Sequence, residues 1–73
     1  MTLVEVVSSN IHSIGYEDNA EVLTVKFRAG GTYEYYRVPK AEYENLLKAE
    51  SVGAYFSSKV RGKYATAKLA EVG

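Results

Sequence analysis

The feature that most constrains the fold of this chain is a stretch of alternating apolar and polar residues from Glu21 to Arg28. Leu23, Val25 and Phe27 fall on one side of such a stretch, and the residues between them fall on the other. Strict alternation over several residues is typical of a β-strand with one buried face. The pattern therefore predicts a strand in a sheet that has one apolar side.

A pair of glycines follows this strand and predicts a tight turn into a Tyr-Glu-Tyr segment. If residues 29–31 form a three-residue loop, Phe27 pairs with Tyr33, and the last glycine takes the left-handed conformation that such loops require. Val25 then pairs with Tyr35, so each apolar residue faces an aromatic one. Because residues two apart on a strand share a face, we expect Tyr33 and Tyr35 to lie on the buried face.

Turn and helix-start signals give the order of the remaining elements. We expect an earlier strand over residues 10–16. The strand with the tyrosine pair, the third in order, should end at Val38-Pro39, where a helix starts because proline is favoured at the first helical position. Ser51 is a good N-cap for a second helix. The sequence thus predicts an α+β fold, a three-stranded antiparallel meander followed by two short helices packed on one face (β-β-β-α-α). We expect a single domain over residues 1–73, with a core of about residues 7–69, and a short strand or a turn near its end.

The composition limits how so short a chain can be stabilised and what it can do. The 73 residues include no cysteine and one histidine, so we expect neither a disulfide nor a metal site. No apolar run approaches the roughly 20 residues of a membrane span. The N-terminus lacks the basic stretch of a secretory signal, so we expect a cytoplasmic protein. No residues form a catalytic pattern, which favours a non-enzymatic protein without a cofactor.

The charges are balanced overall but unevenly distributed. Nine basic and nine acidic side chains give zero formal net charge, which argues against strong nonspecific attraction to nucleic acids. Residues 1–56 contain five basic and eight acidic side chains, whereas residues 57–73 contain four basic side chains and one acidic one. The basic C-terminal part has two interpretations, a contact with a polyanion or a solvated helix end that complements the helix dipole.

Five fragments of the sequence occur together in an order that resembles one family. The fragments are Val7-Ser8-Ser9, Ile14-Gly15-Tyr16, Tyr33-Glu34-Tyr35, Val38-Pro39 and Ser51-Val52-Gly53-Ala54-Tyr55-Phe56. Together they resemble the KTSC domain over nearly the whole chain. That family is named for its occurrence at the C-terminus of some lysyl-tRNA synthetases, and it also includes free-standing small proteins.

The resemblance implies a hallmark tyrosine pair, which Tyr33 and Tyr35 match. It also suggests RNA binding, because the family occurs attached to a synthetase, although its function is not established. The family often has an asparagine after Tyr-Phe, where this chain has Ser57. Two roles stay open for the tyrosine pair: core residues with tethered hydroxyls, or a platform on which bases stack.

Two sets of side chains are candidates for contact with nucleic acid. One set is expected on the sheet face opposite the tyrosine pair, where a tyrosine lies among basic residues, as on sheets that bind RNA. The other is the basic C-terminal part of the second helix and the residue just beyond it, which would contact phosphates unless the alkyl chains only cover the helix face. The six candidates are Lys26, Arg28, Tyr36, Lys59, Arg61 and Lys63.

These observations predict a small binding module rather than an enzyme. The expected partner is tRNA or single-stranded RNA, bound weakly and with strong salt dependence, because so few cations can neutralise only a few phosphates. The alternative is a protein-interaction module with no nucleic-acid role, since tyrosine is enriched in contact patches between proteins.

Overall fold

The structure is a computed structural model that describes residues 3–69, and within them the chain forms a five-stranded antiparallel sheet. Sheet order follows chain order, so each strand pairs with its neighbours in sequence. The strands are β1 (Val4–Glu5), β2 (Ile11–Glu17), β3 (Val22–Phe27), β4 (Thr32–Tyr35) and β5 (Thr66–Lys68). Two helices separate β4 from β5. They are α1 (Lys40–Lys48) and α2 (Val52–Tyr55), and α2 continues into a π-helical turn, Phe56–Val60.

The predicted α+β class is confirmed, but the predicted count of three strands is too low. The two additional strands, β1 and β5, form the edges of the sheet. Each has only two or three residues, and all of these residues are exposed. A strand this short, without a buried face, has no alternating pattern, so the sequence does not predict β1 as part of the sheet and predicts only a short strand or a turn where β5 lies.

The hairpin between β3 and β4 differs from the predicted register by two positions. Val25 pairs with Tyr33 and not with Tyr35, because the loop comprises residues 28–30 instead of 29–31. The Gly30 N–H donates to the Phe27 carbonyl (3.1 Å), which closes the turn one residue earlier than expected. Gly30, with φ of 107°, is then the left-handed residue that ends the loop.

This two-residue shift keeps every side chain on its predicted face, because side chains alternate with a period of two. Leu23 and Val25 are fully buried, and Tyr35 is 5% exposed on the same side. Phe56 covers that side from the helical layer, with its ring 5.3 Å from the Tyr35 ring in an edge-to-face contact. The prediction that the tyrosine pair lies beneath the helices with the aliphatic row is therefore confirmed for Tyr35, whereas Tyr33 lies on the same side but is only half-buried.

A β-bulge in β2 brings two isoleucines three residues apart onto the same buried face. Ile11 pairs with Phe27, and the next residue in the ladder is Ser13, which pairs with Lys26. His12 is thus the extra residue, and the bulge reverses the alternation locally. Ile11 and Ile14 are both essentially inaccessible as a result.

The helices are fixed by caps and by aromatic contacts with the sheet. Pro39, predicted as the first helical residue, instead occupies the N-cap of α1, and the helix begins one residue later at Lys40. The Tyr43 ring stacks on the Tyr16 ring of β2, with centroids 5.0 Å apart, and this contact holds α1 against the sheet. Ser51 caps α2 as predicted, and its hydroxyl accepts a hydrogen bond from the Ala54 N–H (3.2 Å).

Candidate functional site

The main cleft of the domain opens between the helical layer and the end of the sheet that carries the β3–β4 hairpin. It has a volume of about 550 Å³. Its walls come from four parts of the chain: the segment before β2, the hairpin, the face of β4, and the α2 region with the residues that follow it. Because these parts are far apart in sequence, only the folded chain assembles the cleft.

Four aromatic rings form the inner wall of this cleft. The Phe27 ring meets the Tyr33 ring edge to face at 5.5 Å and the Phe56 ring at 5.6 Å. Tyr35 is nearly inaccessible and serves as a core residue, so it cannot act as a stacking platform. Tyr33 is half-buried, so part of its side chain remains accessible beside the cleft.

Arg61 is the one charged side chain among the described residues that line the cleft, and none of those residues is acidic. Its positive charge acts on the Tyr35 hydroxyl, whose pKa is nevertheless raised because burial disfavours the phenolate more strongly. In a chain with equal numbers of acids and bases, this cleft is therefore locally positive and favours an anionic ligand.

The π-helical turn sets the positions of three residues that line the cleft, Phe56, Ser57 and Arg61. The Arg61 N–H donates to the Phe56 carbonyl five residues earlier, at 2.8 Å. Gly62 follows with φ of 81°, a left-handed conformation that ends the helical segment. Phe56 and Ser57 line the cleft from the first turn of this segment. π-Helical turns are rare and frequently occur at functional sites.

The structure places Lys26 and Tyr36, the predicted open-face candidates, on the side of the sheet opposite the cleft. Lys26 is exposed and pairs with Thr32 across the ladder. The Tyr36 hydroxyl donates to the Glu34 carboxylate at 3.0 Å, and this hydrogen bond raises the Tyr36 pKa. An acidic side chain beside the aromatic ring makes this face less suited to phosphate than the cleft.

Arg28 is predicted to contact nucleic acid, but in the structure it holds the segment between β1 and β2. Its Nε donates to the Ser8 carbonyl at 2.7 Å, and its terminal nitrogen donates to the Val6 carbonyl at 3.4 Å. These two bonds tie the β3–β4 turn to the chain before β2. Arg28 therefore stabilises the fold by joining these two segments.

The C-terminal basic candidates divide into one paired and two unpaired side chains. Lys63 forms an ion pair with Glu42 at 3.2 Å. Lys59 and Arg61 are exposed, and neither has an ion pair with any residue from 3 to 69. Of the six predicted residues, these two therefore remain the cations most available to a ligand on the helical side.

A carboxylate that the sequence did not single out connects α1 to the C-terminal part of the chain. The Glu42 side chain is only 11% exposed. One of its oxygens accepts a hydrogen bond from the Tyr55 hydroxyl, and the other accepts bonds from Tyr64 (2.7 Å) and Lys63 (3.2 Å). Its partners lie 13 to 22 residues away, so no local spacing could have indicated the cluster.

The hydrogen-bond donors around Glu42 change the pKa values of the groups in this cluster. The Tyr55 hydrogen bond, followed by those from Tyr64 and Lys63, lowers the pKa of Glu42 despite the opposing effect of burial. The same hydrogen bond raises the pKa of Tyr55, because it favours the neutral phenol. Glu42 is therefore a carboxylate that stabilises the fold in its charged form.

We expect the domain to lose stability in acid through Glu42. Because its pKa is lower in the folded chain than in the unfolded one, its contribution is complete above the unfolded pKa and disappears as pH falls through the folded pKa. The difference in unfolding free energy between the wild type and Glu42→Gln, measured in urea, should be clear at about pH 7 and smaller at about pH 3, below the usual pKa of glutamate. A difference that is equal at both pH values would contradict this role.

The described part of the chain offers neither a cluster of metal ligands nor a membrane-spanning helix. Residues 3–69 contain no group of three or more acidic or histidine side chains placed to hold a metal ion. His12 instead lies 3.5 Å from Glu5 and 3.1 Å from the Ser13 hydroxyl. Over the same residues, no helix has both the length and the apolar character needed to cross a membrane.

Comparison with known proteins gives a consistent set of relatives. The chain is 36% identical to a protein of Tsukamurella paurometabola over 62 residues, which cover 85% of this chain and 92% of that protein. It is 38% identical to a lysine–tRNA ligase of Nostoc punctiforme over 56 residues, 77% of this chain but only 10% of the ligase.

A solved structure and a family model agree with these relatives. The crystal structure of a KTSC domain protein from Yersinia pestis superposes with a TM-score of 0.92 at 36% identity, covering 94% of this chain and 97% of that one. The model of the KTSC domain matches residues 7–64. The resemblance in the sequence is thus confirmed, and the chain belongs to the KTSC domain family.

Proposed function

We propose that this chain is a small, non-enzymatic RNA-binding module. The observation that supports the proposal most strongly is the cleft itself, an open cavity with aromatic walls in which Arg61 is the one charged residue that residues 3–69 contribute to the lining. Aromatic side chains beside basic groups are what proteins use to bind single-stranded RNA. Lys59, exposed two residues before Arg61, adds a second cation to the same end of the helical layer.

The relatives supply independent support for an RNA partner. The matched segment accounts for 10% of a lysine–tRNA ligase, an enzyme whose name gives tRNA as a substrate. A domain attached to such an enzyme lies near tRNA whenever the enzyme works. Weak affinity would be sufficient there, because attachment to another binding unit raises the effective concentration of the second contact.

We expect the free domain to bind tRNA weakly and with a shallower dependence on salt than the sequence predicts, because Lys63 is paired with Glu42 and only Lys59 and Arg61 remain available among the C-terminal candidates. With two available cations, the logarithm of the affinity should fall with the logarithm of salt concentration with a slope of roughly −1.4 to −1.8. Fluorescence anisotropy with labelled tRNA at a low and a physiological salt concentration measures both quantities. Absence of binding at low salt would eliminate the proposal.

A charge-reversal pair tests the location of this contact. Substitution of Lys59 and Arg61 together by glutamate should abolish measurable binding, because it replaces two attractive charges with two repulsive ones. Lys26→Glu is the matched control, since it reverses an exposed charge on the opposite face of the sheet. Equal losses in both variants would place the contact elsewhere. Lys63 is left unchanged, because its ion pair with Glu42 contributes to folding.

A protein-interaction role is the second candidate, and a different surface favours it. An apolar groove of about 420 Å³ lies between the β1 region and the C-terminal end of α1. Val7 at this groove is 97% exposed, and Val4 and Leu47 are partly exposed beside it. A patch of this kind can form a contact surface between proteins. Failure of tRNA to bind would make this groove the preferred site.

A further inference from the structure

We infer that the cleft holds one unstacked nucleotide of the RNA, with its phosphate at Arg61 and its base along the wall formed by Phe27 and Tyr33. This inference rests on the proposed RNA-binding function and specifies the ligand of the same site. Three properties of the cleft support it: its size, its aromatic wall, and the position of its single charge at an open rim.

The size of the cleft favours a single nucleotide over a helix. Its volume of about 550 Å³ lies within the range of roughly 300–1,000 Å³ that is usual for small-molecule sites. The whole domain measures only 32 × 28 × 23 Å, so a cleft on one of its sides cannot enclose a duplex. Proteins that recognise RNA bases commonly bind unstacked nucleotides from loops and ends.

The inner wall offers an apolar surface for a base, and the rim offers polar groups for its edge. Phe27 and Tyr33 are both only half-buried although they lie on the core side of the sheet, so part of each side chain remains accessible. Such rings can stack on any base, because every base has a π-face. Asn10 and Ser57 are exposed at the rim, within the same cleft.

The positive charge and the exposed backbone of the cleft suit a phosphate. The planar guanidinium of Arg61 can donate two parallel hydrogen bonds to phosphate oxygens. No described lining residue bears a negative charge that would oppose this contact. Gly30 and Gly62 both line the cleft, and no atom lies within 4 Å of the position that a Cβ would occupy at either one. The backbone there is open to the approach of a phosphate.

Free nucleotides test the assignment directly. NMR titration of the full domain with AMP, adenosine and inorganic phosphate should show saturable shifts with AMP at cleft amides, and about tenfold weaker binding of adenosine and of phosphate. AMP should also compete with labelled tRNA. Equal binding of AMP and phosphate would overturn the inference, because the base would then contribute nothing.

A matched pair of variants tests whether RNA uses the cleft. Ser57 and Ser58 are neighbouring exposed residues of the π-helical turn, but only Ser57 lines the cleft. Ser57→Trp should fill it and weaken both AMP and tRNA binding at least about tenfold, whereas Ser58→Trp should leave both unchanged. If Ser57→Trp does not fold, Arg61→Gln with Lys26→Gln as its control gives the same comparison for AMP, since Arg61 lines the cleft and Lys26 is exposed on the opposite face of the sheet.

The outcomes separate this inference from the proposed function. If tRNA binds to the wild type but AMP neither shifts the cleft amides nor competes, the inference is overturned and the proposed function stands. If AMP binds in the cleft but no RNA binds, the proposed function is overturned, because the ligand is then a free nucleotide. Binding of tRNA that survives Ser57→Trp would also overturn the inference.

Discussion

Replacing Tyr35 with alanine should lower the free energy of unfolding by about 3–5 kcal/mol, the cost expected when a large buried aromatic side chain is removed. The Tyr35 side chain is 5% exposed and packs edge to face against Phe56 at 5.3 Å. Its loss would leave a cavity between the sheet and the helical layer. Urea unfolding followed by circular dichroism measures the effect, which is a large fraction of the stability of a small domain.

The two neighbouring tyrosines are natural controls for this substitution. Tyr33→Ala should cost less than Tyr35→Ala, because Tyr33 is only half-buried at the edge of the cleft. Tyr36→Ala, on the outer face of the sheet, should be the mildest of the three, since its hydroxyl is bonded to Glu34 in a partly solvated setting. Similar losses for all three variants would contradict the assignment of Tyr35 to the core.

Replacing Glu42 with alanine should cost about 2–3 kcal/mol, the usual range for hydrogen bonds to a charged group whose partners lose their acceptor. The carboxylate accepts bonds from Tyr55, Tyr64 and Lys63, and its removal leaves two phenol hydroxyls without that partner. It also disconnects α1 from the segment that leads into β5. We therefore expect β5 to show faster amide exchange in this variant than in the wild type.

Glu44→Ala is the matched control, because Glu44 is an exposed glutamate of the same helix with no ion pair to a described residue. It should change stability by less than about 0.5 kcal/mol. A double-mutant cycle with Tyr64→Phe isolates one of the hydrogen bonds, and the two substitutions should be less than additive. Full additivity would show that the Glu42–Tyr64 contact contributes nothing.

The buried face of the sheet could be predicted from the sequence, because successive side chains of a strand point to opposite faces and residues two apart share a face. The row of Leu23, Val25 and Phe27 and the tyrosine pair fall on the same face in both the predicted and the observed register. The register itself could not be predicted, because Gly30 and Gly31 both tolerate the left-handed conformation that ends the loop. A shift by two residues leaves the hydrophobic pattern unchanged.

Features that depend on contacts between distant segments were not predictable in this way. The bulge at His12 reverses the alternation in β2, so Ile11 gave no periodic signal for its burial. The edge strands have too few residues to show a pattern. Glu42 resembled an ordinary acid in the first turn of a helix, and only the fold brings Tyr55 and Tyr64 to it.

The candidate site illustrates the same limit. Arg61 was a candidate from the local excess of positive charge, but the sequence grouped it with Lys59 and Lys63, which do not line the cleft. The π-helical turn has no recognisable sequence signature here, yet it sets where Phe56, Ser57 and Arg61 lie. The cleft became visible only when the hairpin, β4 and the α2 region were brought together.

The most direct test of the binding surface is an amide NMR map of the domain with a short single-stranded RNA. The largest shifts are expected at Gly30, Gly53, Ser57 and Gly62, which surround the cleft, with little change at Lys26 on the outer face. Shifts confined to the outer face of the sheet or to the apolar groove beside α1, with the cleft amides unchanged, would contradict the assignment of the cleft.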